Sequence, residues 1–261
     1  MRQFIQLGAG LNAYRLVFEQ ALADELRTVY LDAVAGHLNL PSNRYLLDGG
    51  RLVTSGWEHG PYKFHARSYG TSPLLWVSND NIDTYRVFER FFRALGLADD
   101  IKPLTDFDHD IVLYSGFFVV GDHLNEPVWH VDYCAGANAY TLMTPLFELD
   151  GGHGNLLYRD DSASAGRFPR IGTYAYTPGE AIIFGDGFVH STEPYGLAAS
   201  LRVLVSLTFG SDKLDHWNVL KQTVGTQSNF MMLPCGHWRG ACECLRVAEL
   251  PRRGSADGPP T

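Results

Sequence analysis

Two histidines and one aspartate are spaced in the sequence so that they could hold a single metal ion. The segment Trp129–Tyr133 reads Trp-His-Val-Asp-Tyr, so one residue separates His130 from Asp132. On a β-strand, residues two apart share a face, and both side chains could reach one ion. His190 follows an apolar run and a Gly-Asp-Gly turn. Two imidazoles and one carboxylate leave coordination positions open, as in reactive ferrous sites. We therefore predict a catalytic iron site at these three residues.

A single arginine further along the chain suggests an anion site beside that metal. Arg202 begins the run Arg-Val-Leu-Val-Ser-Leu-Thr, in which strand alternation places Arg202, Leu204, Ser206 and Thr208 on one face. An arginine that faces a β-sandwich interior is costly unless an anion accompanies it. Its planar guanidinium suits a two-point grip on a carboxylate. The alternative is an ordinary salt bridge within the protein.

The elements that must position these residues are mostly strands. From residue 111 to about 210, short β-rich runs alternate with turn signals at 150–152, 178–180 and 185–187. This texture predicts a sandwich or barrel. We attribute Asp186 to turn chemistry and not to the metal. The predicted strands are Ile111–Val120, Val128–Tyr133, Ala139–Leu149, Asn155–Tyr158, Gly172–Tyr176, Ala181–Phe184 and Leu201–Phe209.

The first third of the chain has a different, partly helical pattern. Apolar residues recur at helical spacing over 18–33 and again over 82–95, which predicts two helices. Residues 41–78, rich in Gly, Pro, Ser and aromatic residues, indicate strands and loops. The expected boundaries are Gly36 for the end of the first helix, Asn79 or Asp80 for the cap of the second and Gly96 for its end.

The order of the three iron ligands and Arg202 resembles that of the Fe(II)/2-oxoglutarate-dependent dioxygenases. The segment Pro178–His190 is similar to their approach to the distal histidine, and Gly154–Tyr158 to their glycine-led strand between the metal-binding segments. The resemblance covers roughly residues 110–210 and is closest to the phytanoyl-CoA-hydroxylase-like and related small-molecule branches. It implies a double-stranded β-helix, a cupin-like jelly roll.

The resemblance also completes the expected fold. We expect mainly β structure with flanking helices, in which a jelly-roll core carries N-terminal helices packed on its outside. Residues 1–261 would form a single dioxygenase domain. Its parts would be a helical and mixed region over 1–110, the jelly-roll core over 111–210 and a C-terminal extension over 211–261.

The resemblance further implies 2-oxoglutarate as co-substrate, together with Fe(II) and O2. Arg202 would bind the distal carboxylate of 2-oxoglutarate, whose 2-oxo acid end would chelate iron. Many members carry a serine two residues after the arginine; here that position is Leu204, and Ser206 is the helper. A further polar contact is expected from a neighbouring strand, and the candidates are Tyr114, Thr141 and Thr144.

The implied activity is that of an oxidoreductase in specialised biosynthesis. It would hydroxylate or desaturate an aliphatic C–H of a small metabolite and release succinate and CO2. Asp132 fills the position that a halide takes in halogenating members, which favours hydroxylation or desaturation. Two alternatives stay open. One is a 2-oxoglutarate oxygenase acting on a protein or nucleic acid, and the other is a cupin-type isomerase or binding module without 2-oxoglutarate.

Composition and net charge limit the classes of partner and the compartment that we expect. The chain has 261 residues, a net charge of −8 and a pI near 5.6, which argues against a duplex nucleic-acid partner. No apolar run approaches the length of a membrane span, and no secretory leader pattern opens the chain. Four cysteines are too few for a disulfide scaffold. We expect a cytoplasmic enzyme; its oligomeric state cannot be read from the sequence.

Each of two further clusters of residues has both a functional and a structural interpretation. Cys235, His237, Cys242 and Cys244 lie within ten positions, yet their spacing is not that of a standard zinc finger, so structural zinc competes with simple thiols near the active-site mouth. A second cluster could line the substrate pocket or belong to an aromatic sheet extension. Its members are Trp57, His65, Arg67 and Tyr69.

Overall fold

The protein is described from a computed structural model. The described residues are 2–38, 57–59, 61–149, 153–160, 170–196, 201–228 and 230–244, with only the backbone described for 57–59. Within these ranges, every helix is too short or too polar to cross a lipid bilayer.

The described residues are mainly β and form two antiparallel sheets. The larger sheet has the strand order β1-β2-β10-β7-β12-β6-β5-β4-β3, and the smaller has the order β11-β8-β9. The strands are β1 (Gln3–Gln6), β2 (Ala13–Val17), β3 (Trp57–His59), β4 (Tyr62–Tyr69), β5 (Ser72–Asn79), β6 (Ile111–Gly121), β7 (Ala139–Pro145), β8 (Leu156–Asp160), β9 (Arg170–Tyr174), β10 (Glu180–Phe184), β11 (His190–Thr192) and β12 (Arg202–Ser211).

The chain from β6 onward has the connectivity of a jelly roll. It alternates between the sheets: β6, β7, β10 and β12 are neighbours in the large sheet, while β8, β9 and β11 form the small one. An antiparallel bridge between His130 and His190 adds one more segment beside β11. Apolar side chains from both sheets, including Phe117, Leu156 and Phe184, pack together between them. The predicted fold class is confirmed.

The N-terminal third differs from the prediction because it lengthens the large sheet at both edges. The hairpin of β1 and β2 pairs with β10, and β5 pairs with β6, followed by β4 and β3. The strands β1 and β2 were not predicted, since each has only a few residues and Gly8 and Gly10 interrupt the apolar pattern between them. The ring of Phe4 stacks on Tyr14 at 4.8 Å and joins the two strands.

The predicted strand Val128–Tyr133 is wrong. Only His130 is paired there, through the bridge in which His130 and His190 exchange backbone hydrogen bonds of 3.0 and 2.9 Å. Pro127, three residues before His130, has no N–H to donate to a neighbouring strand. The chain bends at Asp132 and Tyr133, just after His130. The first metal-binding segment is therefore an irregular loop held to β11 by a single residue pair.

The helices flank the large sheet. Their bounds are α1 (Asp24–Val29), α2 (Gly36–Leu38), α3 (Ile82–Ala94), α4 (Leu97–Ile101) and α5 (Trp217–Leu220). A π-helical segment, Tyr30–Ala35, joins α1 to α2, so the predicted stop at Gly36 is wrong and that glycine is helical. Gly96 ends α3 in the left-handed conformation (φ 61°), as predicted.

The cap of α3 is Asn81 and not Asn79 or Asp80. The side-chain oxygen of Asn81 accepts from the backbone N–H groups of Asp83 and Thr84 at 3.0 Å each, which forms a capping box. Asn79 ends β5 instead, and its side-chain oxygen accepts from the N–H of Gly116 at 2.9 Å. The sheet's need to pair this interior amide outweighs the capping preference of Asn79.

The contact between α3 and β6 depends on a missing side chain. A Cβ added to Gly116 would lie 2.2 Å from Cγ of the buried Phe88 ring. We expect Gly116→Ala to lower the free energy of unfolding by about 1–3 kcal/mol, the usual cost of overpacking. Urea denaturation measures this change.

The matched control is Gly36→Ala, because nothing lies within 4 Å of its added Cβ. That substitution is expected to be neutral or to stabilise by up to about 1 kcal/mol. Equal effects of the two substitutions would contradict the packing role of Gly116.

Candidate metal centre

The three predicted ligands converge at one point between the sheets. Their ligand atoms all lie within 4.8 Å of one another. The Oδ1 atom of Asp132 is 3.5 Å from Nε2 of His130 and 3.8 Å from Nε2 of His190. Two ligands that are each about 2.1 Å from an ion can be no more than about 4.2 Å apart. Both distances therefore fit coordination of a single ion.

Each imidazole is oriented by a backbone carbonyl on its other side. Nδ1 of His130 is 2.8 Å from the Val128 carbonyl, and Nδ1 of His190 is 3.1 Å from the Phe188 carbonyl. A carbonyl can only accept, so Nδ1 of each ring carries the proton and donates it. Nε2 of each ring, the atom on the side of Asp132, is therefore the one available to a metal. This is the arrangement that usually supports a metal-binding histidine.

The two carboxylate oxygens of Asp132 have different partners. The hydroxyl of Thr141 donates to Oδ2 at 2.7 Å, while Oδ1 faces the two histidines. The backbone carbonyl of Asp132 accepts from the Thr223 hydroxyl at 2.5 Å, so the C-terminal part of the chain also holds this loop. Thr141 was predicted as a co-substrate contact. Its hydroxyl orients the carboxylate of Asp132, and its contact with the co-substrate stays a prediction.

The surroundings of Asp132 and His190 favour the protonation states that bind metal. Burial would raise the pKa of Asp132, but the hydrogen bond with His130 and the charges of both histidines hold it below its usual value. Burial lowers the pKa of His190 below its usual value. Asp132 is therefore deprotonated and His190 neutral near neutral pH, as metal binding requires. Burial lowers the pKa of His130, but the hydrogen bond and the charge of Asp132 outweigh it and raise that pKa above its usual value, so His130 releases a proton when a metal binds.

The role of Thr141 predicts a specific effect on metal affinity. Thr141→Val keeps the shape of the side chain but leaves Oδ2 of Asp132 without its donor. Loss of such an outer partner is expected to weaken Fe(II) binding by about 10–100-fold. Anaerobic competition titration with a metal indicator measures the change. Thr144→Val on the same strand is the matched control, because its hydroxyl donates at 2.7 Å to the Glu180 carbonyl. Equal affinities of the two variants would remove the orienting role.

Arg202 is a buried cation for which the described residues offer no carboxylate partner. It is 4% exposed, and its Nε and Nη2 atoms have no hydrogen-bond partner. The guanidinium lies 5.1 Å from the ring centre of Tyr176 and 5.8 Å from that of Tyr195. Cation–π contacts of this kind offset only part of the cost of burying the charge. The N–H groups that remain are suited to an anion from outside the protein.

One cavity joins Arg202 to the three candidate ligands. Ser206, one of the predicted helpers, also lines it, as does Thr141. The apolar part of the lining comes from β5, β6 and the small sheet. Its main contributors are Leu74, Trp76, Phe117, Val119 and Leu156. The cavity therefore has a polar end that holds the metal ligands and the cation, and an apolar side beside them.

Several predicted site residues are not brought to this cavity. The hydroxyl of Tyr114 donates to the Ser211 carbonyl at 2.6 Å, within a separate apolar cluster around Trp217. Thr144 lies on the opposite face of β7 from Thr141, and its hydroxyl donates to the Glu180 carbonyl of β10. These positions correct the proposed contacts of Tyr114 and Thr144 with the co-substrate, because both hydroxyls already have buried backbone partners.

The four residues proposed for the substrate pocket lie at different distances from the cavity, and one of them lines it. Tyr69 lines the cavity, and its hydroxyl is 3.2 Å from Nδ1 of His130. Arg67 stacks on Trp76 at 5.1 Å and donates to the Thr226 carbonyl, so it stands behind the cavity wall. His65 does not line the cavity, and burial lowers its pKa to about 4. The side chain of Trp57 lies outside the described residues.

Two tyrosines beside Arg202 were not predicted from the sequence. Burial raises the pKa of Tyr176 to about 12, although the nearby Arg202 charge opposes the change. Tyr195 is paired to Leu124 by a backbone bridge that carries it into the cavity wall. Alternation within the predicted run Gly172–Tyr176 was the available signal for Tyr176. Nothing local marked Tyr195, since only the bridge across the fold positions it.

Asp186 lies in the predicted turn, but its side chain bonds to another loop instead of to the backbone of that turn. Its Oδ2 atom accepts from the backbone N–H of Gly136 at 2.7 Å, which joins the turn before His190 to the loop after Asp132. It does not belong to the group of candidate metal ligands.

Comparison with known proteins gives matches among solved structures only. No family model and no curated protein matches the chain. HygX from Streptomyces hygroscopicus, with nickel and 2-oxoglutarate bound, is 13% identical, with a TM-score of 0.43 over 77% of this chain and 83% of that one. A Pseudomonas putida prolyl-4-hydroxylase is 14% identical, with a TM-score of 0.44 over 78% and 94% of the two chains. The epimerase SnoN from nogalamycin biosynthesis is 14% identical, with a TM-score of 0.41 over 74% and 84%. At these identities and TM-scores, the assignment of a function depends on the chain's own residues.

Proposed function

We propose that the protein is an Fe(II)- and 2-oxoglutarate-dependent oxygenase that hydroxylates or desaturates an aliphatic C–H of a small metabolite. His130, Asp132 and His190 bind the iron, and Arg202 binds the distal carboxylate of 2-oxoglutarate. Iron with 2-oxoglutarate supplies the activation of O2, coupled to conversion of the 2-oxo acid to succinate and CO2. The protein supplies binding, orientation and electrostatics.

The observation that carries this proposal is one cavity that contains both a two-histidine, one-carboxylate site and a buried arginine with no carboxylate partner among the described residues. A buried cation is strongly destabilising until an anion joins it. A dicarboxylic 2-oxo acid supplies both a chelating end for the metal and a carboxylate for the arginine. A cupin-type isomerase or binding module does not require an inward arginine at this position.

The cavity also favours a small substrate with an aliphatic portion. Its apolar wall, which includes Trp76, Phe117 and Val119, lies beside the metal ligands. Ligand sites of this kind use apolar surface for affinity and a few polar groups for orientation. The net charge of −8 disfavours a nucleic-acid substrate. None of the four cysteines is in a disulfide, which accords with a cytoplasmic location.

The test is anaerobic addition of Fe(II) and 2-oxoglutarate to the metal-free protein. We expect a visible charge-transfer band that needs both additions, because a 2-oxo acid chelated to ferrous iron absorbs in this region. Admission of O2 should then release succinate, and a screen of metabolite classes for faster release should identify the substrate class. Mass analysis of a hit would show a gain of one oxygen or a loss of two hydrogens.

The contrary results are equally specific. Stoichiometric iron binding without the band, and with no succinate release, would favour a metal protein that does not use 2-oxoglutarate. Succinate release stimulated only by proteins or nucleic acids would support the macromolecular alternative.

A further inference from the structure

A second group of metal-ligating side chains lies in the C-terminal extension. Cys235, His237, Cys242 and Cys244 present ligand atoms that all fall within 4.8 Å of one another. The Sγ atoms of Cys235 and Cys242 are 3.4 Å apart, and Sγ of Cys244 is 3.6 Å from Nδ1 of His237. None of these residues belongs to the group formed by His130, Asp132 and His190.

The distances match a tetrahedral metal centre better than a disulfide. A disulfide would place its two sulfur atoms about 2.05 Å apart. In a tetrahedral zinc site with Zn–S near 2.3 Å and Zn–N near 2.05 Å, sulfurs are about 3.8 Å apart and a sulfur and a nitrogen about 3.6 Å apart. The observed 3.4 and 3.6 Å separations lie near these values. Three thiolates and one imidazole form a ligand set that zinc uses in closed structural sites.

The backbone around the cluster is folded so that two ligand pairs meet. Leu233 donates its N–H to the His237 carbonyl at 2.9 Å, and Gly236 donates to Leu233 at 2.9 Å, which closes a tight loop around Cys235. Gly236 has a φ of 73°, a conformation that glycine adopts without strain. Ala241 donates to the Trp238 carbonyl at 3.0 Å and turns the chain back with Cys242.

Aromatic packing and hydrogen bonds attach the segment 230–244 to the rest of the protein. Trp238 lies edge-on to Tyr85 at 4.8 Å and stacks on Phe230 at 4.5 Å. Residues 230–243 contain no helix or strand, and their β pairing is the bridge between Met232 and Trp238. A segment with so little regular structure gains much of its order from a cross-link, and a bound metal provides one.

We propose that Cys235, His237, Cys242 and Cys244 bind one structural Zn²⁺, separate from the candidate iron site. The three thiols release their protons to solvent on binding, and His237 binds through a neutral ring nitrogen. The ion closes the loop over 233–244. The preceding part of the same extension carries Thr223, whose hydroxyl bonds to the carbonyl of Asp132. The zinc site thereby steadies the segment that lies against the first metal-binding loop.

Elemental analysis of the full chain, purified from zinc-supplemented medium and passed through a chelating resin, tests the proposal. Zinc could also enter the iron site, so the measurement is repeated on His190→Ala, which lacks one iron ligand. We expect about one tightly held zinc per chain in His190→Ala, and the cysteine and His237 substitutions are compared in that background. Cys242→Ser should lose this equivalent, whereas Cys134→Ser, at the one cysteine outside the cluster, should keep it. His237→Cys should also keep it, because it retains four ligands.

Two further measurements on the native protein decide the matter even if Cys242→Ser fails to fold. A mercurial thiol reagent should release the zinc to a chromogenic chelator. Replacement by Co²⁺ should give thiolate charge-transfer and tetrahedral bands that persist in His190→Ala. Absence of zinc from His190→Ala, or a native mass lower by two hydrogens because of a disulfide, would overturn the proposal.

Discussion

Replacing His190 by alanine is expected to abolish both iron binding and succinate release. His190 is the most enclosed of the three ligands, at 6% side-chain exposure, and its ring packs on Phe184 at 4.4 Å. Two ligands remain in the variant, and the site then has neither the charge balance nor the geometry to compete with water for Fe(II). Loss of outer partners alone costs up to about 100-fold in metal affinity, so loss of a ligand should exceed that factor.

Anaerobic titration of Fe(II), with succinate release measured separately, checks this expectation. His109→Ala is the control, because His109 is exposed and lies outside both candidate metal groups. It should keep iron affinity and turnover. A His190→Ala variant that still binds iron with wild-type affinity, while remaining folded by circular dichroism, would refute the assigned ligand set.

Replacing Arg202 by glutamine is expected to raise the KM for 2-oxoglutarate by at least about 30-fold. This factor corresponds to about 2 kcal/mol, the lower end of the cost of removing one partner from a buried charge pair. Iron affinity without co-substrate should change little, because Arg202 is not a ligand. The variant still has polar hydrogen-bonding groups but lacks the charge and the planar fork that match a carboxylate. Arg202→Lys should restore only part of the affinity for the same geometric reason.

A thermal melt separates this role from a purely structural one. Without an anion, the buried Arg202 guanidinium destabilises the wild type, so 2-oxoglutarate should raise its Tm in proportion to its binding. The Arg202→Gln variant should melt no lower than the wild type without ligand, and its response to 2-oxoglutarate should nearly vanish. Arg67→Gln is the control, since Arg67 stacks on Trp76 behind the cavity wall. An unchanged co-substrate KM in Arg202→Gln would remove the assignment.

The candidate ligands were identifiable from the sequence even though one local prediction was wrong. The prediction relied on a strand at His130 and Asp132, and the structure has a bent loop with one bridged residue. The two side chains still meet, because the bridge to His190 fixes one and the Thr141 hydroxyl fixes the other. Residue type and order along the chain were therefore more informative than the assumed local geometry.

The partners of each functional side chain could not be predicted in the same way. The hydroxyls of Tyr114, Thr141 and Thr144 were equivalent candidates, and only the packing of strands decides which one reaches the cavity. Thr141 and Thr144, three residues apart on β7, point to different faces and find different acceptors. Tyr195 approaches Arg202 only through a bridge to Leu124, a contact between residues far apart in sequence.

Alternation, turn chemistry and ligand type are local properties, so the chain itself specified the jelly-roll strands, the His130–Asp132–His190 set and the inward arginine. Contacts between distant segments depend on how sheets pair and side chains pack, which no short window of residues contains. Tertiary structure therefore decided that five N-terminal strands extend the large sheet and that three cysteines and His237 come within reach of one ion. It also decided that Arg202 lies between tyrosines, with no carboxylate partner among the described residues.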